Sequence, residues 1–140
     1  MGTLQVSIFV RKGVYAILMT RGGTRVTLKV EKIKNTKIAE SIYSSMLFTI
    51  REALLLVRNY FEEHKDSCEV VIELNNITIQ KWFDNCYAKD EYQEYFIDVM
   101  NLLQEIPMKY SVVVVKKPKA SIYADNKYIT SKLKMSSLEI

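Results

Sequence analysis

The chain has 140 residues, 49% of them hydrophobic and 26% charged, with a net charge of +4 at neutral pH. That is the length of one ordinary domain with enough apolar matter to bury a core, so residues 1–140 are read as a single domain and a disordered polymer is excluded. No run of about 18 uncharged apolar residues is present to cross a bilayer, and the opening MGTLQVSIFVRKG lacks the charged start, apolar block and small-residue cleavage site of a secretion signal.

Taken in order, Gln5 to Val10 is β-branched and aromatic and predicts a strand. Arg11-Lys12-Gly13 is a tight turn, and Val14 to Thr20 is nearly all apolar, as a strand covered on both faces requires. Arg21-Gly22-Gly23 is a hairpin signal, because paired glycines accept positive φ. From Thr24 to Ile33 the residues alternate, with Val26, Leu28, Val30 and Ile33 on one side and Arg25, Thr27, Lys29 and Glu31 on the other, giving a half-exposed antiparallel strand.

From Ile38 to His64 the period changes. Ile42, Met46, Ile50, Ala53, Leu54, Val57 and Phe61 recur at three- and four-residue steps, and Leu55 and Leu56 widen the stripe. This predicts a central helix of about 27 residues, about 40 Å long at 1.5 Å per residue, with its first turn open as loop. Glu69 to Leu74 reads as a short strand closed by Asn75-Asn76. Ile77 to Tyr87 reads as a helix with Ile79, Trp82 and Phe83 inward, and Asp90 with Gln93 as a capping box. Tyr95, Phe96, Val99, Leu102, Leu103 and Ile106 mark a third helix, stopped before Pro107. Tyr110 to Val115 is an apolar strand, and Ala124 to Leu133 a short last helix. Strand–helix–strand order demands right-handed crossovers. The expected fold is therefore α/β: a mixed five-stranded sheet, a three-strand antiparallel meander plus two parallel strands, with helices on its faces in the order βββαβααβα.

Few patterns carry chemistry. Cys68 and Cys86 form no CxxC and have only His64 as a metal partner, so both read as buried reduced thiols of a cytoplasmic protein. His64 and Cys68 straddle a helix end and a strand start, which suits a helix-terminal His better than a nucleophile pair. Arg21-Gly22-Gly23 is too short for a phosphate-binding loop. Asp84, Asp90, Glu91 and Glu94 span a helix break and read as caps and solvated faces. No cofactor and no metal site is expected from these residues. Charge is segregated: residues 1–40 carry eight Lys/Arg against two acids, residues 41–106 five against twelve, and residues 107–140 seven against two. A basic surface that meets phosphate and a set of merely solvated faces both account for this.

The text VSIFVRKG followed by GVYAIL, the stretch VVIELNNITIQKWF and the stretch YADNKYITSKL resemble, in that order, segments of ribonuclease H, and the element order is similar across nearly the whole chain. The resemblance implies two divalent metals held by four carboxylates, because a hard cation prefers anionic oxygen. Matched residue by residue, those positions fall at Arg11, Tyr43 (Glu40 after a one-turn slip), Asn75 and Asp125. Only Asp125 keeps a carboxylate, and Glu52 fits a later, non-catalytic acid. No acid lies between Met1 and Glu31, so no shift within the meander restores the first ligand. The resemblance further implies that Arg11 and Asp125 are neighbours, as an ion pair in place of a metal cage.

Three functions follow. The first is a catalytically inactive module, not an enzyme, that binds nucleic acid through Arg11, Lys12, Arg21, Arg25, Lys116, Lys117, Lys119 and Lys127, or acts in a nucleic-acid-processing complex. The second is a protein-interaction or inhibitor module on the same fold, of a viral or phage-encoded kind and with a partner in replication, transcription or RNA processing. Tyr87, Tyr92, Tyr95, Tyr123 and Tyr128 would be its exposed anchors. The third is a divergent metal-dependent nuclease built on Asp125, Glu40 and Glu73. No membrane partner is expected.

Overall fold

Two turns that force positive φ set the sheet. In the computed structural model, which describes residues 2–65 and 68–127, strand β1 (Leu4–Arg11) turns through Lys12 (φ 46°) and Gly13 (φ 79°) into β2 (Val14–Arg21). Gly22 (φ 58°) and Gly23 (φ 80°) then lead into β3 (Thr24–Lys32). Two left-handed residues in a two-residue loop match the twist of the flanking strands. Lys12 adopts this conformation despite its Cβ, a strain the tight hairpin imposes.

The sheet order is β3-β2-β1-β4-β5. β1 is antiparallel to β2 and parallel to β4 (Val70–Leu74), which is parallel to β5 (Tyr110–Val114). This is the mixed five-stranded sheet expected from the sequence, and helices cover both faces. On one face Leu4, Val6, Ile8 and Val10 of β1 join Tyr15, Ile17 and Met19 of β2 and Val70, Ile72 and Leu74 of β4. They pack under α2 (Ile42–His64), α3 (Ile77–Asn85) and α4 (Gln93–Glu105). On the other face Val14, Ala16 and Leu18 meet Ala120 and Ala124, the latter in the final described helix, α5, residues 121–127. β2 is thus buried on both sides, as its unbroken apolar run requires.

Several details depart from the sequence reading. The long helix is two: α1 (Thr36–Ala39) ends before Ser41, whose hydroxyl accepts from Tyr43 N to start α2. Ser44 and Ser45 both turn their hydroxyls onto the Ile38 carbonyl. Serines compete for backbone partners in this way and so break helices and restart them. Ile42, expected on the core face, is 45% exposed because it opens the new helix. In β3 a bulge opposite Met19 and Thr20 leaves Val26 without a partner and turns it toward the α2 core, while Leu28 and Val30 pack on the α5 side. Ile33 joins the α2 core as well.

Asp90 and Gln93 do not form a capping box. Residues Asp90–Tyr92 make a 3-10 turn, Asp90 accepts from the Tyr87 hydroxyl, and Gln93 reaches back to Ala88 N. Cys68 is buried as expected, but Cys86 is exposed at the left-handed end of α3. Tyr92, Tyr95 and Tyr123 are half-buried rather than exposed. The last helix begins three residues earlier than the sequence pattern places it, and its predicted part beyond 127, with Tyr128, lies outside the described residues. No helix among the described residues is long and apolar enough to cross a membrane.

Between β3 and α2 lies a polar cluster. Tyr15 Oη donates to Glu31 (3.2 Å) and Lys29 Nζ pairs with Glu52 (3.4 Å). Burial raises the Tyr15 pKa above its ordinary 10.0, against the pull of Lys29. Burial lowers that of Lys29, but the negative charge of Tyr15, Glu52 and Glu31 outweighs it, and the net shift from 10.5 is upward. Both groups hold their protons more tightly folded than unfolded, so stability is fully present below about pH 10 and falls as pH rises through the folded values. Thermal unfolding followed by circular dichroism should show Tm falling above about pH 10, and Lys29→Met should flatten that fall; an unchanged profile in the variant would remove Lys29 as a contributor.

Candidate functional site

The parallel register fixes which side chains meet. Leu4 lies beside Val70 and Ser7 beside Glu73, while Val70 lies beside Tyr110. The carboxyl ends of β1, β4 and β5 therefore point the same way. Arg11 and Lys12 stand at the tip of β1, exposed Asn75 follows β4, and exposed Lys116 and Lys117 follow β5, where Val115 N still bonds Leu74 O. Helix α2 starts at this same end. It passes Phe48 against Tyr15 and Glu52 against Lys29, and reaches Tyr60 against Arg21 at the far end.

Arg11 Nη1 donates to Asp125 Oδ1 of α5 at 3.0 Å, with side-chain exposures of 46% and 28%. This is the neighbour relation the sequence resemblance implies. α5 is also tied at its root. Ser7 Oγ donates to Glu73 Oε1 (3.0 Å), the same oxygen accepts Lys119 N (2.9 Å), and Ala120 N donates to Ser7 Oγ (2.9 Å). Arg25 Nη2 donates to Tyr123 Oη at 2.7 Å and its guanidinium lies 5.3 Å from that ring. Ser7 carries no motif. The only signal for it in the sequence is a hydroxyl in an otherwise apolar central strand, and for its partner an acid inside EVVIEL.

The eight cations expected to act together are divided. Arg11, Lys12, Lys116 and Lys117 share the strand ends. Arg25 and Lys119 lie on the α5 face, and Lys127 is exposed at the last described turn of α5. Arg21 is at the opposite end, where it donates to Tyr60 Oη at 3.0 Å, because the two hairpin turns of a meander close opposite ends of the sheet. Tyr43 stacks into a ring cluster, 5.5 Å from Trp82 and 5.4 Å from Tyr92. Asn76, not Asn75, caps α3 by accepting from Ile79 N.

The acids are scattered. Glu40 is exposed at the end of α1, Glu52 pairs with Lys29, Glu73 holds the α5 root and Asp125 holds Arg11. Among the described residues no group of three or more His, Cys, Asp or Glu side chains is placed to hold a metal ion. A cleft of about 220 Å³ opens on the α5 face between Gln5, Ser7, Thr20, Glu73, Val113 and Lys119. A larger cavity, about 560 Å³, sits at the other end of the strands, around Gly2, Cys68, Met108 and Lys109, on the Arg21 side and away from the strand-end cations.

This is a ribonuclease H-like fold. Among solved structures the chain is similar to LC11-RNase H1, isolated from compost by a metagenomic approach, with TM-score 0.65 and 14% identity over 94% of this chain and 97% of that one. The same enzyme in complex with an RNA/DNA hybrid matches with TM-score 0.65 and 15% identity over 90% and 92%. RNase H1 from the halophilic archaeon Halobacterium salinarum NRC-1 matches with TM-score 0.56 and 12% identity over 88% and 89%. No protein-family model and no curated protein sequence matches the chain.

A double-mutant cycle on Arg11→Gln and Asp125→Asn, read by urea unfolding, should give a coupling of about 0.2–1 kcal/mol, the range for a pair as solvent-screened as this one. Zero coupling would mean that the contact contributes nothing to holding α5.

Proposed function

We propose that this chain is a non-catalytic ribonuclease H-like module that binds nucleic acid at the carboxyl ends of β1, β4 and β5. The carrying observation is the Arg11–Asp125 ion pair. In this reading Arg11, Tyr43, Asn75 and Asp125 stand where a two-metal centre would need four anionic oxygens. One carboxylate remains, and it faces a guanidinium. A fixed positive charge a few ångströms from the site repels a divalent cation, the more so where water is thinned. The residues do not fit a two-metal cage. The same charge change favours phosphate. Arg11, Lys12, Lys116 and Lys117 form a cationic rim at the strand ends, the side of an open α/β sheet on which ligands are usually held. The solved structure of a similar fold with an RNA/DNA hybrid supports nucleic acid as the ligand class.

A protein-binding or inhibitor role is a second reading, favoured by the exposure of Ile77 (58%) and Tyr87 (57%) on the acidic helical side. A basic partner protein would suit that surface.

The test is fluorescence anisotropy with labelled 20-mer RNA/DNA hybrid, duplex DNA and single strands across a salt series, beside a cleavage assay with Mg²⁺ or Mn²⁺. If four phosphates are contacted, affinity should fall on the order of a hundredfold between 50 and 200 mM salt, and Lys116→Gln/Lys117→Gln should weaken binding and flatten that slope. Absence of binding to every probe at low salt would overturn the nucleic-acid reading. Metal-dependent cleavage abolished by Asp125→Asn would overturn the non-catalytic one.

A further inference from the structure

Arg11 of the proposed interface and Arg25 on the adjoining α5 face are already engaged by the chain itself, and both partners lie on the same short helix. Arg11 holds Asp125 (3.0 Å) and Arg25 holds Tyr123 (2.7 Å). We propose that α5, residues 121–127, is a self-mask: it occupies the guanidinium groups of Arg11 and Arg25 in place of phosphate, and nucleic acid displaces it. This rests on the nucleic-acid reading above and adds to it a competitor for the Arg11 charge, with Arg25 extending the contact onto the α5 face.

The way α5 is attached suits displacement. Its root is pinned by two hydrogen bonds, Lys119 N to Glu73 and Ala120 N to Ser7, and Ser7 and Glu73 are themselves bonded to each other. Its body buries mostly small side chains: Ala124 is fully buried beside Ala120 of the root, Ser121 is buried, Tyr123 is half-buried against the same cluster, and Ile122 is 56% exposed. Small side chains bury little area, and the hydrophobic contribution scales with that area. Two further attachments among the described residues, the Arg11–Asp125 pair and the Arg25–Tyr123 contact, are reachable by solvent and therefore weak and salt-sensitive. A pinned root with a loosely held body is an arm that can lift without unfolding the sheet. The competition is chemically matched, because a phosphate offers a guanidinium the same anionic oxygens as a carboxylate, and a nucleic acid offers several in a row. Asp125 also places one negative charge where a phosphate would sit, so the closed arm repels the ligand as well as covering its site.

The experiment measures anisotropy of the labelled single-stranded and hybrid 20-mers with the full chain, in wild type, Asp125→Asn, Tyr123→Phe and Glu63→Gln. Glu63 is exposed near the far end of α2, so its variant adds the same net charge without touching the arm. Asp125→Asn should bind about fivefold tighter and the charge-neutral Tyr123→Phe about twofold tighter, as expected for losing a surface ion pair and a solvent-exposed hydrogen bond from a guanidinium to a hydroxyl, with Glu63→Gln near wild type. Hydrogen exchange supplies the second readout: amides of residues 121–127 should exchange faster when the wild-type chain is saturated with the 20-mer. Wild-type binding with no tightening in Asp125→Asn and Tyr123→Phe, tightening equal to that of Glu63→Gln, or protection of 121–127 on binding would each overturn the mask while leaving the nucleic-acid reading standing. No binding by any variant at the lowest salt would overturn the nucleic-acid reading itself, and the mask with it.

Discussion

Everything at the strand ends depends on the parallel pairing of β1 with β4. Ser7 and Glu73 are 66 residues apart and become lateral neighbours only through this register. Parallel neighbours cannot be joined by a hairpin, so a crossover is required. Helix α2 supplies it, with 23 residues running back along the sheet from the Arg11 end to the Arg21 end. Because β5 is added in the same sense, the chain leaves it beside the tip of β1, and the loop that follows can fold over Ser7 and Glu73 to lay α5 on the opposite face. If β4 were antiparallel, Arg11 and Asn75 would stand at opposite ends.

The same topology explains the segregated charge. The acid-rich segment 41–106 is α2, β4, α3 and α4, so most of its carboxylates lie on the helical side of the sheet. Among the described residues of the basic segments, Arg11, Lys12, Lys116 and Lys117 stand at the strand ends and Arg25, Lys119 and Lys127 on the α5 side, while Arg21 stands at the opposite end. The resulting polarity belongs to the described residues taken together. On the proposed function, such a polarity would steer an anionic ligand toward the strand ends. At close range the interactions differ in kind. The Ser7–Glu73–Lys119–Ala120 set is partly buried and satisfies backbone donors that would otherwise lose water, so breaking it is costly. The Arg11–Asp125 pair is half-exposed and contributes little to stability. Its importance is positional, since it places a cation and an anion where the proposed function needs one or the other to be available.

On the proposed function, replacing carboxylates by a guanidinium, a phenol and an amide turns a site that would gather metal into one that gathers phosphate. The change needs no alteration of the backbone, because the strand ends and α5 present whatever side chains they carry. Tyr43 illustrates this. Instead of projecting an acid toward the strand ends, α2 contributes a ring that packs with Trp82 and Tyr92, and the helix is anchored there by apolar contact.

How much was legible in the sequence follows from the range of the forces involved. Local periodicity determined the five strands, the main helices and the burial of β2 on both faces, because side-chain spacing of two or 3.6 residues is written in the chain itself. The resemblance to ribonuclease H, with the missing acids before Glu31, was enough to expect Arg11 beside Asp125. The sequence could not show that Ser41 would cut the long helix, that a bulge would turn Val26 to the other face, or that Gln93 would reach Ala88, since each depends on which of several hydrogen-bond partners the packed structure leaves within reach. Nor could it separate Arg21 from Arg11 or join Arg25 to Tyr123. Eight cations read alike along a chain, and only the direction in which each strand runs, with the helix laid across its face, decides which of them share a surface and which are held at opposite ends.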